Sequence, residues 1–269
     1  MTALASSLRP LLAAHAGHRM SWPQVLAWHL LPGLALTAVS AAGAPVLAAA
    51  GLPPLWALLG GAILVQVPLL LALRRRLRRR AAPVPVPVPV PVSVPVPSPA
   101  PAPVRRSTRR FLRSAVTLLA VTLAASLLPG IVVGLEPLLR ATLFSWLPAG
   151  LSAGLGSLTG MGDTERVVTL VLWFAGMVLL GPIAEELYFR GELLPRIPAG
   201  PWASAVTSAG LFAAYHYWQP YAVLTVFAFA LPVAVARSRF GASAALCAAA
   251  HCIVNLGMFA ALASGLASR

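Results

Sequence analysis

The feature that most restricts this chain is a succession of long apolar runs almost free of charge, at residues 25–49, 55–73, 111–133, 167–187, 202–218, 221–236 and 242–264. A helix needs about 20 mostly apolar residues to cross the roughly 30 Å hydrocarbon layer of a bilayer, and these runs reach or approach that length. Lipid offers backbone groups no hydrogen-bond partners, so spanning segments must be helices or closed barrels. The expected fold is all-α: a polytopic integral membrane bundle of about seven transmembrane helices. An eighth is open at 141–159, where the apolar sequence is broken by Pro148 and several glycines. The first run exceeds the 7 to 15 or so apolar residues of a signal-peptide core, and is expected to be a retained anchor. Composition agrees: 59% of the 269 residues are hydrophobic and 10% charged, against about 25% charged in a soluble domain. A water-soluble globular domain is excluded.

The charges are unevenly placed. There are twenty arginines and no lysine against six acids, for a net charge of +14. Most arginines flank apolar runs, where anionic lipid headgroups are nearer than any nucleic acid, so nucleic acid is not an expected partner. Arg74, Arg75, Arg76, Arg78, Arg79 and Arg80 precede a Pro-Val repeat, and Arg105, Arg106, Arg109, Arg110 and Arg113 follow it. Alternating proline removes backbone donors and fixes φ, which suits an extended spacer. Three segments result: a two-span membrane segment at 1–80, a Pro-Val-rich and Arg-rich linker at 81–110, and a membrane domain at 111–269. The positive-inside rule places the Arg-rich loop in the cytoplasm. The N-terminus, two spans earlier, then lies there too, in a chain of the cell (plasma) membrane. If 141–159 does not cross, Arg190, Arg196, Arg237 and Arg239 lie on that same side. Cys247 and Cys252 sit in one apolar run and suggest no disulfide framework; Cys247 reads as a packing residue.

Chemistry is concentrated in a few polar residues within the runs. An ionised acid near the middle of a span costs about 2.5 to 3.5 kcal/mol, so the adjacent pair Glu185 and Glu186 needs compensation. On an α-helix Glu186 and Arg190 are four residues apart and share a face, while Glu185 points about 100° away. Arg190 is therefore expected to hold Glu186 and leave Glu185 free. Glu192 is expected to pair with Arg196 at the interface. Two later runs carry Phe212 with His216 and His251 with Asn255, each pair four apart and so on one helix face. Singly, each of these suits a helix end at the headgroups or a packed histidine. Together they give three runs a polar face toward a shared interior. Trp22, Trp28, Trp56, Trp202 and Trp218 lie near run ends, as in any interfacial belt.

The order Glu185-Glu186-x-x-x-Arg190, Phe212-x-x-x-His216 and His251-x-x-x-Asn255 resembles the three motifs of the CPBP family, the CAAX-processing and bacteriocin-processing membrane proteases. The string Gly-Pro-Ile-Ala-Glu-Glu-Leu-Tyr-Phe-Arg-Gly at 181–191 is similar to that family's signature. The resemblance covers roughly 111–269 and not 1–110. It implies a helical membrane fold with a cavity among the motif-bearing helices and hydrolysis of peptide bonds in a membrane-associated peptide or protein substrate. Glu185 would be the general base that activates water. Glu186 and Arg190 would be structural or tuning groups, and His216, His251 and Asn255 would position water and stabilise the oxyanion. A metal variant is equally drawable, because Glu185, His216 and His251 are the ligand types of a catalytic zinc site or that of another divalent metal. Family members are described with and without a metal, and the motifs leave both open. The rival class is a non-catalytic membrane protein that binds a peptide, as in immunity, or scaffolds a partner. A proton-coupled transporter ranks lower, as no inverted repeat is evident.

Overall fold

The computed structural model describes residues 19–81, 104–147, 158 and 160–267. The Pro-Val repeat lies outside the described residues, as does most of the segment 141–159 considered for an eighth crossing. Among the described residues the regular structure is entirely helical, as the apolar runs require. Six helices there are long and apolar enough to cross a membrane: Trp22–Ala49, Leu55–Arg79, Leu112–Thr142, Asp163–Arg196, Pro220–Phe240 and Ala244–Ala261.

The expectation of seven is corrected at the run 202–218. It forms the helix Pro201–Tyr215, 15 residues long, which rises only about 22 Å, short of the hydrocarbon thickness. It ends at His216, whose φ of −81° and ψ of 53° leave the helical region. This short helix lies antiparallel to the fifth span. Trp202 and Arg239, from opposite ends of the two helices, meet with the guanidinium 5.4 Å from the indole. Its buried face carries Ser204, Ala205, Ser208, Ala209, Phe212 and Ala213, mostly small residues that let neighbouring helices approach closely.

The spans are not uniform α-helices. Wider π-helical stretches occur at Ala62–Gln66 in the second span and at Phe174–Leu180 and Glu186–Leu193 in the fourth. Such stretches are frequent at functional sites because they re-aim side chains. The fourth span packs against the second and the sixth. Its buried ring cluster, Tyr188 and Phe189, meets Phe212 and Tyr215 of the short helix.

The first two spans join this core directly. Pro32 in the first span has no N–H to give the carbonyl of Trp28 four residues earlier; that carbonyl accepts the Tyr188 hydroxyl instead, at 2.7 Å. Gly33 faces Tyr215, where a Cβ would come within 2.0 Å of the tyrosine's backbone oxygen. Only glycine permits that approach.

Candidate active site

Glu185 and Glu186 sit where the α-helical Gly181–Glu185 segment passes into the π-helical Glu186–Leu193 segment. Gly181 N–H donates five residues back to Gly176 O, and a Cβ at Gly181 would lie 2.5 Å from that oxygen. The next residue, Pro182, has no N–H, so the matching bond to the carbonyl of Met177 cannot form. The side-chain amide of Asn255 supplies the missing donor, with Nδ2 2.7 Å from Met177 O. The Gly-Pro pair of the motif and the last motif residue therefore belong to one helix join. Asn255 is thus taken up by a carbonyl of the fourth span, an arrangement different from the oxyanion donor the resemblance implies.

The two glutamates diverge as the spacing predicts. Glu186 is fully buried, as is Arg190. Arg190 Nε lies 3.2 Å from Glu186 Oε2, an ion pair by distance though not aligned as a hydrogen bond. Arg190 also stands 4.2 Å over the Phe212 ring. The other oxygen of Glu186 receives His251, with Nδ1 3.2 Å from Oε1. A carboxylate only accepts, so His251 carries a proton on Nδ1 and turns Nε2 away from Glu186.

Glu185 is buried too, but not alone. Its Oε1 accepts Gln66 Nε2 at 3.0 Å and the Tyr215 hydroxyl at 3.4 Å. Its Oε2 accepts no hydrogen bond among the described residues and is not one of the sealed, unpartnered polar atoms. The carboxylate thus has one anchored oxygen and one open one.

His216 follows the short helix, and its Nδ1 lies 2.7 Å from Phe212 O. Phe212, Tyr215 and Trp218 surround its ring at centroid distances of 4.8, 5.1 and 4.7 Å. Burial among them pushes its pKa down to about 3, so the imidazole is neutral. Since a carbonyl only accepts, the proton sits on Nδ1 and Nε2 presents a lone pair. Phe212 also contacts His251, at 6.2 Å between ring centroids. This one aromatic ring therefore touches Arg190, His216 and His251, and brings the three motifs together.

The two free Nε2 atoms are a donor chemistry suited to metals, but the geometry is not. Among the described residues, no group of three or more His, Cys, Asp or Glu side chains is gathered to hold a metal ion. The set Glu185, His216 and His251 does not fit a metal as placed, and no step below passes through one.

Glu192 pairs with Arg196 at 3.1 Å, the expected partner, but also with Arg78 at 2.6 Å and Arg74 at 3.5 Å from the second span. Gln66 and Tyr215 escape a motif reading. Gln66 did leave a signal, being the one polar side chain in the run 55–73. Tyr215 had none beyond its place beside His216.

Residues 167–257 match a family model described as type II CAAX prenyl endopeptidase Rce1-like. No curated protein and no solved structure matches the chain. The matched stretch runs from the fourth span to just beyond Asn255 and holds all three polar motifs. With these motifs converging inside a bundle of apolar helices, the match over residues 167–257 makes this part of an integral membrane chain similar to the Rce1-like membrane proteases.

Proposed function

We propose that Glu185 is the general base of a membrane endopeptidase, and that the substrate is a membrane-associated peptide or protein of the prenylated CAAX kind named in the family's description. The observation that carries this reading is the state of the Glu185 carboxylate: buried, tethered through Oε1 and open at Oε2. Water is deprotonated by Oε2 as its oxygen forms a bond to the scissile carbonyl carbon. The C–N bond then breaks, and the proton held by Glu185 passes to the leaving amine. His216 Nε2, an acceptor, orients the water. His251, fixed at Nδ1 by Glu186, positions the water together with His216. Asn255 serves the site through the helix join at Met177.

A base of this kind contributes about 10² to 10⁴ in rate. Glu185→Gln, purified and placed in phospholipid vesicles with a farnesylated peptide ending in a CAAX sequence, is expected to lose at least about a hundredfold in kcat. Wild-type turnover by that variant would remove Glu185 from the mechanism. Cleavage of the same peptide without its prenyl group at an equal rate would remove the lipid from the substrate. Chelator-treated protein is expected to keep its activity; loss that zinc restores would overturn the metal-free scheme.

A further inference from the structure

The catalytic carboxylate is held from outside the stretch that matches the protease family. Gln66 lies in the second span, about a hundred residues before the matched segment 167–257. It closes the π-helical stretch Ala62–Gln66 and is buried. Its Nε2 donates to Glu185 Oε1 at 3.0 Å. Because a carboxylate only accepts, the amide must turn its NH2 group toward it. The second donor on the same oxygen, Tyr215, is itself seated against the first span, with Gly33 under its backbone. Tyr188, three residues past Glu185, is tied to the first span through Trp28 O. Farther along the second span, Arg74 and Arg78 hold Glu192 on the same stretch of the fourth. The fourth span is thus fastened to the first two at Glu185 and again at Tyr188 and Glu192 beyond it.

We infer that Gln66 is a positioning residue for Glu185, and that the first two spans complete the active site. This rests on the reading of Glu185 as the base. Two donors on Oε1 fix the rotation of the carboxylate, so Oε2 is the oxygen presented to water. Without Gln66 the carboxylate keeps its charge and its place in the chain but loses its orientation. The second span therefore acts on the chemical step and not on substrate capture.

The test is Gln66→Met, which keeps length and volume and removes the donor, measured beside Gln66→Glu, wild type and Glu185→Gln in vesicles with the farnesylated CAAX peptide. A hydrogen bond to a charged group corresponds to about a ten- to hundredfold effect. The expected result is a kcat lower by that factor with KM unchanged, and partial recovery in Gln66→Glu at low pH, where the protonated side chain can again donate. A Gln66→Met enzyme with wild-type kcat, or with only KM raised, would overturn the inference while leaving Glu185 as the base. An active Glu185→Gln would overturn the base reading instead.

A second measurement needs no substrate: thermal unfolding in detergent of Gln66→Met, Glu185→Leu and the double variant. The two shifts in Tm are expected to be less than additive, because both substitutions remove one contact. Fully additive shifts would show that the two side chains do not interact and would sink the inference whatever the activity.

Discussion

At the residue scale the site depends on which charges are paired and which are left open. Glu186 and Arg190 are both sealed from solvent, in surroundings where an uncompensated charge is severe. Removing one partner of a buried pair costs about 3 to 5 kcal/mol. Glu186→Gln is expected to destabilise the protein by about that amount, read as a lowered Tm in detergent, because among the described residues Arg190 then keeps the Ala230 carbonyl and the Phe212 ring as partners. Unchanged Tm would show that Arg190 does not need this carboxylate. Glu192 is a contrasting case. It holds three arginines, but the Arg78 side chain is 60% exposed, and such pairs are worth about 0 to 1 kcal/mol. The i to i+4 spacing made both the Glu186–Arg190 and Glu192–Arg196 pairs legible in the sequence. The i to i+4 rule is silent on partners from another helix, which is why the pairing of Gln66, Arg74 and Arg78 with the fourth span was not legible.

At the element scale the fourth span departs from a plain α-helix, and Asn255 answers that departure. A π-turn followed by proline leaves the Met177 carbonyl without a backbone donor, and the Asn255 amide fills the gap. This assigns Asn255 a structural task that can be separated from an oxyanion role. Asn255→Ala is expected to lower both Tm and activity. Pro182→Ala, which returns an N–H near Met177 O, is expected to recover a measurable part of the Tm in the double variant. If the double variant is no more stable than Asn255→Ala, the amide is not standing in for the missing backbone donor. The expected helix at 202–218 carried a related surprise. Its apolar length suggested a full crossing, but the chain turns at His216. That turn sets the histidine inside the bundle beside Tyr215, where a longer helix would have carried it on toward the far surface.

At the scale of the whole molecule, arginines from distant parts of the chain meet at one end of the bundle. Glu192 joins Arg74, Arg78 and Arg196. Arg237 donates to the carbonyls of Arg190 and Ala242, and Arg239 stacks on Trp202. The positive-inside rule predicts that this end faces the cytoplasm. In a background with Cys247 and Cys252 replaced by Ala, Ser243→Cys is expected to resist a membrane-impermeant maleimide in intact cells and to react in inverted vesicles. The opposite pattern would reverse the orientation. The same assembly gives the first two spans a role beyond anchoring, since they seat Tyr215, Tyr188 and Glu185.

The sequence by itself determined the medium and the class of structure, and it singled out the few polar residues inside the apolar runs. Each of these follows from local properties: run length against bilayer thickness, the cost of a charge in hydrocarbon, and helical spacing. Tertiary structure decided the number of spans among the described residues, the partners of Glu185, Glu186 and Asn255, and the oxygen of Glu185 that stays open. Those depend on where helices bulge, turn short and meet. In a bilayer nearly every apolar face is acceptable to lipid, so hydrophobic patterning says little about which faces pair. The pairing was left to a few small residues, prolines and polar side chains scattered along the chain, such as Gly33, Pro32, Pro182 and Gln66, whose partners lie on other helices.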